Sequence, residues 1–145
     1  MEQRDKLTEE EKAKLEKEFE QAREEVDEND VKYVLAKTEG KAKKLSESDI
    51  GWIKKLYKQV ILLFRMLKDA WSKDYELPWK TIASIVAALL YFVNPFDLIP
   101  DFIPVVGFLD DAGVVFICIS FIREDLQAYA KAKGLNLDEY GLEEG

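Results

Sequence analysis

Four aspartates stand in the apolar half of this chain, and their surroundings could give them unusual chemistry. Between residues 77 and 122 the charged residues are one lysine and these four acids: Lys80, Asp97, Asp101, Asp110 and Asp111. A carboxylate among apolar groups is costly unless it is hydrogen-bonded, paired or bound to a cation. We therefore expect each of these carboxylates to have a partner.

Three roles are open to the four carboxylates. In a structural role, Asp110 caps the helix that follows and Asp111 complements its positive end. Asp97 and Asp101 would then accept hydrogen bonds from amide groups in a turn. In a metal site, oxygen donors without histidine or thiolate would suit Mg²⁺ or Ca²⁺, and all four aspartates are candidate ligands. In a catalytic dyad, two of them would perform acid and base chemistry, although nothing specifies a substrate. The structural role is favoured, and no catalytic residue or cofactor is predicted.

The segment from Asn94 to Asp111, which carries these acids, is predicted to be a stiff elbow. It holds three of the chain's four prolines. Each proline lacks a backbone donor and disfavours helical geometry at the preceding residue. The residues predicted to shape the elbow are Asn94, Pro95, Asp97, Pro100, Asp101, Pro104, Gly107, Asp110 and Asp111.

Two apolar helices are predicted on either side of the elbow. Every residue from Ile82 to Val93 except Ser84 is apolar, and Pro78 suits the first turn of this helix. The last helix is expected to start near Asp110 and to stop at Gly134. A helix that is apolar all round must be enclosed by other helices or by lipid.

A long amphipathic helix precedes this pair. Apolar residues spaced alternately three and four apart run from Ile50 to Trp71, and Ser46 or Ser48 could cap the start. A basic flank lies beside the apolar stripe, formed by Lys54, Lys58 and Arg65. This flank is either an ordinary solvated edge or a contact with anionic lipid.

The N-terminal third is highly charged and predicts helices with little apolar surface. Thr8 and Glu11 have the spacing of a capping box, and the first helix shows only a narrow apolar seam. A break is expected between residues 24 and 30, and a second helix over 31–45 is expected to be interrupted at Gly40. We divide the chain into a charged helical arm (1–47), a helical core (48–134) and a frayed acidic tail (135–145).

Composition excludes several classes of function. A net charge of −8 argues against a nucleic-acid-binding protein, which usually carries a basic face. Histidine is absent, which removes the usual general base and the commonest transition-metal ligand.

Cys118 is the single cysteine and is expected to be a buried thiol. Residues 1–14 have no apolar stretch, so a cytosolic location is expected over secretion.

The elbow resembles the DUF1232, or YkvA-like, family. The residues that carry the resemblance are Asn94-Pro95, Asp97-Leu98-Ile99-Pro100-Asp101, Ile103-Pro104, Gly107 and Asp110-Asp111. The resemblance covers roughly residues 73–129. It implies a small bacterial or archaeal protein without an assigned activity, whose members are often expected in or on membranes. It brings no catalytic residue or cofactor.

The fold class predicted is all-α, a small helical bundle in which the elbow joins the two apolar helices. Ile82 to Val93 is shorter than the about 20 apolar residues needed to cross a bilayer. The favoured function is a non-enzymatic peripheral or scaffold module with its apolar hairpin in its own core. A membrane-anchored adaptor with a short inserted hairpin and a Mg²⁺- or Ca²⁺-dependent enzyme are the alternatives. The expected partner is a membrane surface or another protein; the oligomeric state is left open.

Overall fold

The structure, a computed structural model, describes residues 9–93 and 109–140, and the fold is all-α as predicted. Within these ranges the regular elements are α-helices and one 3₁₀ turn. In chain order they are α1 (Glu9–Glu24), α2 (Glu28–Ser46), α3 (Gly51–Trp71), α4 (Trp79–Val93), α5 (Leu109–Phe121), α6 (Arg123–Lys133) and the 3₁₀ turn Leu137–Tyr140.

The break between α1 and α2 falls where the sequence predicts it, and Asp27 forms it. Its side chain accepts a hydrogen bond from the Asp30 N–H, and the Asp30 side chain accepts one from the Asp27 N–H, which completes a capping box. The predicted interruption at Gly40 was wrong, because α2 continues through it to Ser46. Glycine costs a helix only about 1 kcal/mol relative to alanine, and burial of the apolar face of α2 offsets this.

The start of α3 differs from the prediction. Ile50 precedes the helix and makes no side-chain cap, so neither Ser46 nor Ser48 is the capping residue. Ser48 instead accepts a hydrogen bond from the Ile50 N–H at 3.0 Å, and Ser46 donates one to the Lys43 carbonyl at 2.6 Å. The Ser48 contact lies in the connection between α2 and α3 and is a local alternative to capping, whereas the Ser46 contact lies within the last turn of α2.

Helix α4 is the centre of the bundle and packs against α1, α2, α3 and α5. The Pro78 carbonyl accepts hydrogen bonds from the Thr81 and Ile82 N–H groups, so proline immediately precedes the helix. The buried residues of α4 are Thr81, Ala83, Ser84, Ile85, Val86, Ala87, Ala88, Leu89, Tyr91 and Phe92. The apolar helix is therefore enclosed by protein.

The final helix of the prediction is two helices. The chain leaves helical geometry at Ile122 (φ −111°, ψ 18°), between α5 and α6. Gly134 ends α6 in the left-handed region (φ 71°), as predicted. The expected fraying of the tail was wrong for its first residues: Leu137 is buried, and Gln59 Nε2 donates to the Tyr140 carbonyl at 3.0 Å.

The N-terminal helices share the core of the rest of the molecule. Phe19 of α1, and Val31, Val34 and Leu45 of α2, belong to the same buried cluster as α3, α4 and α5. Helix α1 buries few residues, in keeping with its narrow seam. The division of the chain into arm, core and tail stays a prediction, although the arm and the core have a common apolar interior.

Candidate functional site

Most of the predicted elbow lies outside the described residues. This applies to Asn94, Pro95, Asp97, Pro100, Asp101, Pro104 and Gly107. The backbone of Asp110 and Asp111 lies in the first turn of α5, which begins at Leu109. Acidic residues favour the positive end of a helix at this position. A capping residue stands immediately before the first helical residue, whereas Asp110 is the second residue of α5. Its side chain lies outside the description, so the capping role of Asp110 stays a prediction.

The described side chains do not gather into a metal site. Within residues 9–93 and 109–140, no group of three or more histidine, cysteine, aspartate or glutamate side chains could hold an ion. The metal-site hypothesis concerns Asp97, Asp101, Asp110 and Asp111, whose side chains are outside this description. It stays a prediction.

A cation–aromatic contact joins α1 to the apolar helix pair. Arg23 of α1 lies over the Phe121 ring at 5.1 Å, and its Nη1 donates to Ser84 Oγ at 3.3 Å. Phe19 packs edge-on against Phe121, with ring centroids 5.4 Å apart. Ser84, the polar residue within the apolar run, in turn donates to the Lys80 carbonyl at 2.9 Å. These contacts fix α1 on α4 and α5, because a guanidinium over an aromatic face needs a defined geometry.

Cys118 faces the same junction from α5. Its thiol is fully buried and donates to the Ser84 carbonyl at 3.4 Å. Burial raises the pKa of the Cys118 thiol, and the positive charge of Arg23 opposes this only in part. A thiol held neutral is a poor nucleophile, so Cys118 is a packing residue of the core.

A second polar cluster holds α6 against α3. The Tyr129 hydroxyl donates to Asp69 Oδ2 at 2.6 Å, and Lys133 Nζ lies 3.6 Å from the same oxygen. Tyr75 packs edge-on against Tyr129 at 5.0 Å. Burial, followed by the hydrogen bond to Asp69 and its charge, raises the pKa of Tyr129, and Arg65 opposes the shift. We call Asp69, Tyr75, Tyr129 and Lys133 the tyrosine clasp.

Another polar contact joins α6 to the start of α4. Thr81 Oγ1 donates a hydrogen bond to Asp125 Oδ2. Asp125 lies in the first turn of α6, where a negative charge also complements the helix dipole. Together with the tyrosine clasp, this contact gives α6 polar attachments at both of its ends.

A groove of about 410 Å³ opens between α1 and α4, beside the start of α2. Its lining combines three apolar side chains, one amide and three carboxylates: Ala22, Ala87, Leu90, Gln21, Glu18, Glu25 and Asp30. The negative charge favours cationic over anionic groups. Asp30 is already engaged in the capping box of α2. We refer to this feature as the acidic groove.

Sequence reasoning missed the acidic groove and both polar attachments of α6. Asp69 and Tyr129 are sixty residues apart, and Thr81 and Asp125 are forty-four apart. Helical periodicity places a residue on a face but does not pair faces that are distant in sequence. The one signal in the sequence for these contacts was that polar residues such as Asp69 and Thr81 stand beside apolar residues on their helices.

Comparison with known proteins identifies the class to which this all-α bundle belongs. The family model described as "Protein of unknown function (DUF1232)" matches residues 81–117, from the start of α4 into α5. The chain is a member of this DUF1232, or YkvA-like, family, as its elbow motif predicted.

The particular relative that supports this assignment comes from Bacillus subtilis (strain 168). It is named "Uncharacterized membrane protein YkvA" and is 39% identical over 79 residues, which cover 54% of this chain and 74% of the relative. No solved structure matches the chain. Among the described helices, none has both the length and the apolar character required to cross a bilayer.

Proposed function

We propose that this chain is a non-enzymatic, peripheral helical module that works through its surface and uses its apolar helices as its own core. The observation that carries this proposal is the enclosure of α4. Ile85, Val86, Ala88, Leu89 and Phe92 are fully buried by contacts within the protein. An inserted hairpin would present such side chains to lipid, whereas here other helices cover them.

The attachment to a membrane surface has separate support. The relative from Bacillus subtilis carries "membrane protein" in its name, and this chain shares the family. Peripheral attachment is compatible with both observations. A protein bound to the membrane surface can be called a membrane protein and still keep α4 buried in its own core. The elbow, in this proposal, sets the angle between α4 and α5 and is not a catalytic centre.

The second candidate is a membrane-anchored adaptor in which α4 and α5 insert as a short hairpin. The name of the relative favours it, and the enclosed α4 favours the peripheral module. In the adaptor, α4 and α5 would have to leave α1, α2 and α3 to enter lipid, which would expose the apolar faces of those helices.

Fractionation separates the two candidates. The protein is expressed in bacterial cells without detergent, and membranes are washed first with concentrated salt and then with alkaline carbonate. The peripheral module is expected to leave the membranes in these washes and to remain folded and monodisperse without detergent. Retention after carbonate, with release only by detergent, would establish the adaptor instead.

A further inference from the structure

Positive charge is concentrated at one end of this acidic protein. The end of α2, the beginning of α3 and the turn between them span residues 37–58 and contain seven lysines but three acids, Glu39, Glu47 and Asp49. The chain as a whole carries a net charge of −8. We call this region the lysine-rich tip; its lysines are Lys37, Lys41, Lys43, Lys44, Lys54, Lys55 and Lys58.

The two helix ends of the tip are held together by a short, hydrogen-bonded connection. Helices α2 and α3 pack against each other and are joined by residues 47–50. Within this connection Ser48 accepts a hydrogen bond from the Ile50 N–H, and the Lys54 N–H donates to the Ile50 carbonyl at 3.0 Å. The lysines of both helices are therefore presented from one fixed end of the bundle.

Most of these lysines face solvent. Lys41 is half-buried, with its Nζ 5.2 Å from the Phe92 ring centroid, and the other six are exposed. In the part of the chain that the structure describes, no ion pair with a carboxylate engages any of the seven. Like charges left together in this way repel one another, and an anionic surface would relieve that repulsion.

An apolar side chain stands at the apex of the same tip. Ile50 is 52% exposed, although its N–H donates to Ser48 Oγ within the turn. Lysine stems can lie along an apolar surface while their charges reach the headgroups. A basic surface with a protruding aliphatic residue matches a bilayer interface, which offers anionic headgroups above an apolar layer. A nucleic acid would offer no apolar layer for Ile50.

We propose that the lysine-rich tip docks on an anionic lipid bilayer, with its lysines among the headgroups and Ile50 at the interface. This inference rests on the peripheral attachment proposed above and specifies which surface makes it. The acidic groove includes Asp30, which lies near the other end of α2. The attraction is local, because at physiological salt it extends only about one Debye length, roughly 8 Å.

Vesicle sedimentation of the purified chain tests the proposal. The vesicles are phosphatidylcholine alone or a mixture with about one third phosphatidylglycerol, a composition that supplies anionic headgroups. Binding is expected to the mixed vesicles and not to phosphatidylcholine. It should weaken as salt rises from about 0.1 M to about 1 M, because the Debye length falls from about 10 Å to about 3 Å.

The tip variant replaces Lys43, Lys44, Lys54 and Lys55 with glutamine. Each lysine near an anionic surface contributes about fivefold to partitioning, so the variant should lose on the order of several hundredfold. The matched control makes the same four changes of charge at exposed lysines elsewhere, with Lys17, Lys32, Lys68 and Lys131 replaced by glutamine. The control is expected to bind within about threefold of the parent. Thermal melts establish that both variants are folded.

Three outcomes would overturn the assignment of the tip. They are equal loss in the tip and control variants, equal binding to neutral and anionic vesicles, and binding to single-stranded RNA but to neither vesicle. The fate of the peripheral proposal is read separately from the washed cell membranes. If parent and tip variant are both found on the membranes and salt releases both, attachment is peripheral but uses another surface. If both remain on the membranes after carbonate, the peripheral proposal itself fails.

Discussion

Helices α4 and α6 are neighbours that the bundle holds in opposite ways. Ten of the fifteen residues of α4 are buried, and the helix packs closely against α1, α2, α3 and α5. Only three residues of α6 are buried, namely Leu126, Tyr129 and Ala130. Helix α6 supplements this smaller buried surface with polar contacts to Asp69 and Thr81.

The difference shows which forces position each helix. Burial is strong but non-directional, so it brings α4 to the centre without fixing the partners of individual atoms. Hydrogen bonds contribute only about 1 kcal/mol each, yet they specify distance and angle. Helix α6 therefore depends more on individual hydrogen bonds, whereas α4 depends more on the total apolar area that it buries.

The largest expected effect is a cavity in α4. Phe92→Ala removes a fully buried ring and should lower the free energy of unfolding by about 3 to 5 kcal/mol, measured by urea denaturation. The matched control is Phe116→Ala in α5, where the side chain is 53% exposed, with an expected loss of about 1 kcal/mol or less. Equal losses would contradict the burial of the Phe92 ring in the core.

The end of α6 offers a smaller, purely conformational test. Gly134 has φ 71° and space for an added methyl group, so Gly134→Ala should cost about 1 to 2 kcal/mol from backbone strain alone. Gly40→Ala is the control, and its effect on stability should have the opposite sign. Gly40 is exposed within α2 and has space for an added methyl group. The substitution should stabilise the protein by about 0.5 to 1 kcal/mol. Thermal melts of both variants would show whether the two substitutions change stability in opposite directions, and shifts of the same sign would contradict the prediction.

The tyrosine clasp predicts a further loss in α6. Tyr129→Phe removes the hydrogen bond to Asp69 and should cost about 1 kcal/mol, since water can reach the partly exposed carboxylate. Tyr57→Phe, a half-buried tyrosine of α3, is the control and should change stability by about 0.5 kcal/mol or less. A Tyr129 variant as stable as its control would show that the hydrogen bond to Asp69 does not stabilise the attachment of α6.

The same clasp predicts a dependence on alkaline pH. The folded state raises the pKa of Tyr129, whereas an unfolded tyrosine titrates near about 10. The protonated Tyr129 hydroxyl therefore makes its full contribution to the free energy of unfolding below about pH 10. This contribution is lost as the pH rises through the folded pKa, because the tyrosine of the unfolded chain loses its proton first. Urea midpoints from about pH 9 to 11 should fall more steeply for the parent than for Tyr129→Phe. Parallel slopes would contradict the raised pKa.

Much of the fold could be predicted from periodicity. The stripe from Ile50 to Trp71 and the apolar run before Val93 correctly indicated two long helices, and Gly134 marked a helix end. The errors lie where tertiary contacts overrule local preference. Gly40 stays helical because α2 packs on α3 and α4, and Leu137 docks because the core offers it a place.

The candidate site was less predictable than the fold. The sequence drew attention to the elbow aspartates because they are rare charges in an apolar region, and their roles stay predictions. The basic flank of Lys54 and Lys58 was visible too, but its continuation into Lys43 and Lys44 depends on the packing of α2 against α3. Pairings of this kind come from tertiary structure and leave no periodic trace.

The polarity of α2 has a consequence for how this molecule meets a charged layer. Acidic residues begin this helix and lysines end it, about 28 Å further along. An isoelectric point near 4.7 alone would indicate repulsion by anionic layers. If the lysine-rich tip binds lipid as proposed, the uneven distribution along α2 would favour encounters in which the lysine-bearing end approaches the layer first. Orientation, more than net charge, would then decide whether an encounter becomes a bound state.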